Sequence, residues 1–357
     1  MKQKISKIIA LIITVLYCIF FIYLLKSITD FVIPILLSML LAIPFMVITH
    51  EAGHLICGLL TGYCFVSFRV FSVMLLRENG KLKWKKHKVP GTAGQCLMAP
   101  PQKENGNYPY QLYNLGGILV CGILSLIPMV SAFFLFEYEF IAMPLFIFGF
   151  VSFFMNLMNA IPTNGKSMIN DATNLLMAKR STAGREAFWN QLEYVHLHSQ
   201  NVRTADMPET MFFHPHENDL GNTLVQWQSL ANIERFEDMG DYEKAQKEVY
   251  DVLEKAPFLS PFYENYFKME VIYLGALLGN DQERVEQYVK ELQKRNQVKN
   301  TIHFARAYYA YCKLVQKDPS AIQNARTFFE KKIHAEAYLA SADFERRQMA
   351  YIDSLTK

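Results

Sequence analysis

The run FVIPILLSMLLAIPFMVITHEAGHLICGLL, Phe31 to Leu60, has His50, Glu51 and His54 as its only acid or imidazole side chains. At about 1.5 Å per residue a helix of this length crosses a hydrocarbon layer of about 30 Å. Ionisable groups at that depth are costly, so their presence marks a site. His50 and His54 stand four residues apart. On a helix that puts them on one face with Cβ atoms about 5–6 Å apart, within reach of one zinc ion. Glu51 lies beside them without coordinating, where it can accept a proton from water. Gly53 costs a helix about 1 kcal/mol relative to alanine, a sign that something approaches that face closely. Read instead as core residues, the three would be polar groups without partners in lipid.

Three further apolar runs flank this one: Ile8–Leu25, Leu115–Phe136 and Phe140–Ile161. Ile8–Leu25 follows Lys2, Lys4 and Lys7 but is longer than a signal core and lacks a small-x-small cleavage site, so it reads as a retained anchor. The segment 61–110 is rich in Lys and Arg, whereas the short loop between the last two runs holds Glu137 and Glu139. The positive-inside bias then gives four spans with both termini cytoplasmic, in a plasma membrane. Inside the basic segment, Phe65–Leu76 and Lys81–Val89 flank Asn79-Gly80, a hairpin turn signal. A β-hairpin at the membrane surface is expected. Lys81, Lys83, Lys85, Lys86 and Lys88 would face anionic headgroups, which a plain positive-inside loop also explains. Trp84, Tyr108 and Tyr110 would form an interfacial belt.

The chain has 357 residues, 51% hydrophobic and 19% charged, too apolar for disorder and too poor in Lys and Arg for a dedicated nucleic-acid binder. Its mean hydropathy of +0.07 is an average of unlike parts. The first 171 residues carry 13 Lys and Arg against 7 Asp and Glu; the rest carry 23 against 26. Six cysteines with no CxxC spacing read as buried small hydrophobes rather than a disulfide framework or a thiolate metal site. From residue 217 amphipathic helical segments alternate with turns at Gly240-Asp241, Gly279-Asn280-Asp281 and Lys317-Asp318-Pro319, the aspartates recurring at 40 and then 37 residues. Such spacing resembles a degenerate tetratricopeptide array with a face for a cytoplasmic protein or peptide, and equally fits a plain helical domain. The expected fold is therefore mainly α: a polytopic membrane helix bundle of about four spans, with a small surface β-hairpin and a cytoplasmic α-helical hairpin-repeat domain. The divisions are 1–29 anchor, 30–180 metal-bearing core with the hairpin at 65–98, 181–216 linker with helical parts, and 217–357 repeats.

A zinc site needs a third protein ligand and an open position for water. His87 is the other histidine of the membrane half but falls on the expected hairpin. After the fourth run comes Asn159-Ala160-Ile161-Pro162-Thr163-Asn164-Gly165, then Asn170-Asp171-Ala172, and Asp171 is the sole carboxylate between Glu139 and Glu186. Pro162 and Gly165 would unwind the helix end there, as irregular backbone lining a cavity does. Asp171 is then a ligand or, alternatively, a helix N-cap. His214-Pro215-His216-Glu217 reads as a surface turn rather than a second metal site.

HExxH in a membrane helix, followed about a hundred residues later by Asn-x-x-Pro and then Asp, resembles the site-2 protease family of intramembrane zinc metallopeptidases. The resemblance covers about residues 30–180 and includes Gly91–Pro101 and Gly116-Gly117-Ile118. It implies zinc held by His50, His54 and Asp171, Glu51 as catalytic base, and Asn159 engaging substrate backbone or oxyanion. It further implies a membrane-spanning peptide or protein substrate, a bacterial plasma membrane, and roles such as regulated proteolysis or processing of signal peptides and pheromone precursors. Two features depart from the family pattern: Ala172 replaces the usual glycine, and 12 residues separate Asn159 from Asp171. Two rivals stand beside this reading. In HtpX-like membrane metallopeptidases the third ligand is a glutamate on a later helix. The other rival is a non-catalytic membrane adaptor working through its helical repeats.

Overall fold

The computed structural model describes residues 10–21, 32–89, 91–163, 169–296 and 298–355. The chain is mainly helical: α1 (Ala10–Phe21), α2 (Val32–Leu60), α3 (Tyr110–Phe134) and α4 (Glu139–Asn159) precede α5 (Asp171–Arg180) and α6 (Thr182–Ser199). Then follow α7 (Thr223–Met239), α8 (Tyr242–Lys255), α9 (Pro261–Leu278), α10 (Gln282–Leu292), α11 (Ile302–Ala310), α12 (Pro319–Ile333) and α13 (Leu339–Ser354). Three helices, α2, α3 and α4, are long and apolar enough to cross a membrane. The expected first span, Ile8–Leu25, lies partly outside the described residues, and its described part is α1.

Two compact units divide the chain, Met1–Thr49 with Cys121–Leu157, and His50–Val120 with Met158–Lys357. The first is held by apolar packing, with Ile35 and Ala42 of α2 buried against Ile147 and Val151 of α4, and Tyr17 stacked on Phe154 at 5.0 Å. Its helices otherwise expose apolar side chains such as Leu40, Ile123 and Phe140, the arrangement a lipid environment requires.

The second unit contains the sheet. In place of the expected two-stranded hairpin there are four antiparallel strands, β1 (Cys64–Val70), β2 (Val73–Glu78), β3 (Lys81–Lys86) and β4 (Gly94–Ala99), in the order β3-β2-β1-β4. The Asn79-Gly80 turn forms as expected, with φ of 47° and 78°. The run Phe65–Leu76, expected as one strand, folds back at Phe71, which takes φ 53°. That turn is held from inside: buried Arg69 donates to the Phe71 carbonyl at 2.7 Å. Tyr108 and Tyr110 are buried rather than interfacial, while Trp84 is 73% exposed.

The region expected as a linker carries α6, whose Ala187, Phe188 and Leu192 are buried in the main core of this unit. Helix ends after it follow the turn chemistry. Gly240 and Gly279 close α7 and α9 in the left-handed region, and Asp241 and Asp318 cap α8 and α12 by accepting from backbone N–H groups. Consecutive helices pair as hairpins, α7 with α8, α9 with α10 and α11 with α12. Helices α6, α7, α9, α11 and α13 each touch the next, and α13 returns to α6. Cysteines 57, 96, 121 and 312 are buried, and all six are free.

Candidate metal centre

Helix α2 carries His50, Glu51 and His54, all buried. Glycines let α3 approach this stretch. A Cβ on Gly53 would lie 2.3 Å from the Gly116 carbonyl oxygen, and one on Gly116 would lie 2.5 Å from that of Gly53. One turn-mate along, Gly117 faces the rings themselves: its Cβ would meet His54 Nε2 at 2.5 Å and His50 Nε2 at 2.7 Å. The close approach expected from Gly53 is thus present, and α3 supplies more than a wall. His54 Nδ1 donates to the Tyr113 carbonyl at 2.8 Å, which turns Nε2 of the ring inward.

The third element is α5. Its N-cap is Asn170, whose Oδ1 accepts from Thr173 N at 3.0 Å, so Asp171 occupies the first helical position and its carboxylate is free of the capping duty. Asn170 Nδ2 also donates to the carbonyls of Ile161 at 2.7 Å and Met158 at 3.3 Å, tying the end of α4 to the start of α5. Residues 164–168 of that connection, with Asn164 and Gly165, lie outside the described residues.

These supports bring three ligand atoms together. Asp171 Oδ2 lies 2.8 Å from His50 Nε2 and 3.3 Å from His54 Nε2, and the two nitrogens are 3.2 Å apart. A tetrahedral zinc ion with bonds of about 2.0–2.1 Å sets its ligand atoms about 3.3–3.4 Å apart, so the donor set fits such an ion. Electron-rich atoms this close need positive charge among them; a proton serves one pair, whereas a divalent cation serves all three. Among the described residues this is the one group of three or more His, Cys, Asp or Glu side chains whose ligand atoms converge. Burial pushes the Asp171 carboxyl up, but the charges and hydrogen bonds of His54 and His50 outweigh it and hold it below the usual carboxylate range.

Glu51 sits against the sheet. A Cβ on Gly94, the first residue of β4, would lie 2.4 Å from Glu51 Oε1, so only glycine leaves room for this carboxylate. Arg69 of β1 holds that floor, donating to the carbonyl of Gly94 at 3.1 Å and, more weakly, to that of Thr92 at 3.4 Å. Burial pulls the Arg69 guanidinium down, against the charges of Glu51 and Tyr338. Tyr113 ties α3 to the same strand, its hydroxyl donating to the Cys96 carbonyl at 2.7 Å. Cys96 itself is no competing thiolate ligand, since burial pushes its thiol far above the usual value.

Of the residues expected at the site, His50, Glu51, His54 and Asp171 gather within mutual electrostatic reach. Asn159 does not join them by a hydrogen bond; it is the last residue of α4 and half-buried. His87 donates to the Ala335 carbonyl at 3.0 Å. His214 meets Glu248 at 3.4 Å and His216 caps a short 3₁₀ turn, so neither forms a second metal group. Sequence reading missed Tyr113, Asn170 and Arg69. Two of them act through backbone carbonyls, which carry no sequence signature. Asn170, one residue before Asp171, is the signal that was available. No protein-family model, curated protein or solved structure matches the chain.

Proposed function

We propose that the chain is an intramembrane zinc metalloendopeptidase of the site-2 protease type, hydrolysing peptide bonds in membrane-spanning substrates. The observation that carries this reading is the convergence of His50 Nε2, His54 Nε2 and Asp171 Oδ2 within 2.8–3.3 Å beside the buried Glu51. His50, His54 and Asp171 would hold the ion. When bound, zinc supplies Lewis-acid polarisation of the scissile carbonyl and makes water acidic enough to attack near neutral pH. Glu51, confined between the rings and the Gly94 backbone, takes the proton of the attacking water and delivers it to the leaving amine. The Tyr113 carbonyl fixes the His54 ring. Asn159, at the end of α4, is assigned to the substrate backbone or the developing oxyanion by resemblance alone.

The substrate enters as an extended strand. Strand β4 is at the edge of the sheet and begins at Gly94 beside Glu51, which suits β-strand addition along Gly91–Met98. The HtpX-like alternative needs a glutamate third ligand, and among the described residues the converging group has an aspartate. Helices α7–α13 are proposed as a tetratricopeptide-like array on the cytoplasmic side.

The test uses the full-length protein in detergent. Wild type is expected to carry one zinc ion and Asp171→Ala to lose it, while Glu51→Gln keeps the metal and loses cleavage of a transmembrane reporter. Wild-type cleavage by Glu51→Gln, or full zinc content in Asp171→Ala, overturns the proposal.

A further inference from the structure

The helical part of the second unit buries more acid than it neutralises. Arg306 of α11 is 1% exposed and spans two carboxylates, bonding Glu237 at 2.8 Å and Glu270 through both oxygens at 2.8 Å. Glu345 of α13 is equally buried, yet neither of its oxygens accepts a hydrogen bond; the nearest basic nitrogens are His303 Nδ1 at 3.4 Å and Arg306 Nε at 3.6 Å. Glu234, Glu270 and Glu336 all stand close enough to repel its charge. Among the described residues neither Glu234 nor Glu336 has a basic side chain within ion-pairing distance. Glu345 thus shares Arg306 with two other carboxylates and accepts no hydrogen bond, so this buried cluster holds more carboxyl groups than cations.

The place is reachable. Glu234, Tyr266, His303 and Glu336 are each only half-buried although they face the inner helices. Phe262, Tyr266 and His303 form a row of rings 5.1 Å apart in sequence, which suits the stem and head of a lysine or arginine. Glu336 belongs to the segment 334–338, which docks on the sheet: the Ala337 carbonyl accepts from Lys85 at 2.5 Å, and the Tyr338 hydroxyl lies 3.4 Å from Ser67 Oγ. One side of this acidic face is therefore anchored to the sheet whose β4 floors Glu51.

We propose that the inner face formed by α7, α9, α11, α13 and the segment 334–338 binds a Lys- or Arg-bearing peptide segment, with Glu234, Glu336 and Glu345 as its anionic anchors. Burial and the charge of Glu234 push Glu336 up to about 7, and burial outweighs Arg306 to push Glu345 up to about 8. A bound cation relieves both. If the proposed function holds, the peptide is the basic flank that a membrane-spanning substrate carries on its cytoplasmic side. The binding itself does not depend on catalysis.

The experiment titrates the full-length protein, in uncharged detergent, into a short fluorescein-labelled peptide of alternating lysine and alanine and follows anisotropy. Wild type and Glu51→Gln are expected to bind alike, and raised salt to weaken both. Glu234→Gln/Glu336→Gln is expected to bind at least about tenfold more weakly, the loss of a charge-assisted contact. Its circular dichroism and zinc content should match wild type. Should the double variant misfold, the half-buried Glu336→Gln alone carries the test, with a loss of a few-fold expected. Undiminished binding by a folded variant, equal binding of a glutamate–alanine peptide, or no binding by wild type overturns the proposal. Loss of cleavage in Glu51→Gln with peptide binding intact separates this site from the metal centre.

Discussion

Gly117→Ala tests the metal centre without touching a ligand. The new Cβ would stand 2.5 Å from His54 Nε2 and 2.7 Å from His50 Nε2. Ordinary contact for such atoms begins near 3.5 Å, so a ring or the helix must give by about 0.8–1 Å. Backing α3 away would open the Gly53–Gly116 packing and draw the Tyr113 carbonyl, also on α3, off His54 Nδ1, which it now meets at 2.8 Å. Metal sites tolerate ligand displacements of about 0.2 Å, several times less than the shift required. Zinc affinity is therefore expected to fall by about 100-fold or more, equivalent to roughly 2.7 kcal/mol. The assay is competition for zinc with a chromogenic chelator, run on the full-length protein beside Gly122→Ala. That control lies on the same helix, and its Cβ would meet only Asn156 Nδ2 at 3.5 Å, so it should bind zinc as wild type does. If Gly117→Ala holds zinc at wild-type affinity, either the α2–α3 approach or the assignment of the histidines as ligands is wrong.

Other outcomes follow from the acid-rich helical unit. Arg306→Met strands Glu237 and Glu270 without their cation, and breaking a buried pair this way should cost about 3–5 kcal/mol. Thermal unfolding should show it, and adding Glu237→Gln and Glu270→Gln should recover most of the loss. Glu345, pushed up to about 8 by burial, holds its proton in the folded state after the unfolded chain has released it near the usual carboxylate value. Stability is then full at low pH and declines as pH rises towards 8, by at most about 1.4 kcal/mol per pH unit for one proton. Between pH 7 and 8 His303, pushed down to about 3 by burial and Arg306, is neutral in the folded state, while Glu336, pushed up to about 7, adds a smaller slope of the same sign. Denaturation midpoints across that window should slope downward in wild type and clearly less steeply in Glu345→Gln.

The grouping of the candidate metal centre was legible because metal-binding chemistry fixes residue types at fixed spacings: histidines one turn apart, an acid between them, and Asp171 as the sole carboxylate between Glu139 and Glu186. Gly53 was legible for a related reason, since glycine inside an apolar helix is unfavourable unless another backbone needs the space, whereas Gly116-Gly117 entered only through the family resemblance. The sheet was misread at Phe71, where a bulky residue occupies the left-handed region that a turn signal would assign to Gly or Asn. What stabilises that turn is the Arg69 side chain reaching across from β1, a tertiary contact that no local pattern encodes. The helical parts expected in the 181–216 segment are present, but the burial of α6 was not legible, because α6 owes its place to the faces it buries against the sheet and α7 rather than to a strong periodicity of its own.

Arg69 also explains why the sheet and the metal centre belong to one unit. It donates to Phe71, Thr92 and Gly94, so a single guanidinium closes the turn between β1 and β2 and fixes the entry to β4. Gly94 in turn borders Glu51, and the opposite face of the same sheet receives the 334–338 segment through Lys85 and Ser67. A shift of that segment on ligand binding would reach Glu51 through two hydrogen-bonded strands rather than through loops. Coupling of this kind requires a two-state element, and the segment between α12 and α13 is the candidate. It carries Glu336 and rests on the sheet through buried Ala337, which packs with Val66, Met74 and Leu76, as well as through the polar contacts of Lys85 and Ser67. Peptide binding at the acidic face and proton transfer at Glu51 are therefore expected to be linked, with the alternating lysine–alanine peptide altering the rate of reporter cleavage in wild type but not in Glu234→Gln/Glu336→Gln.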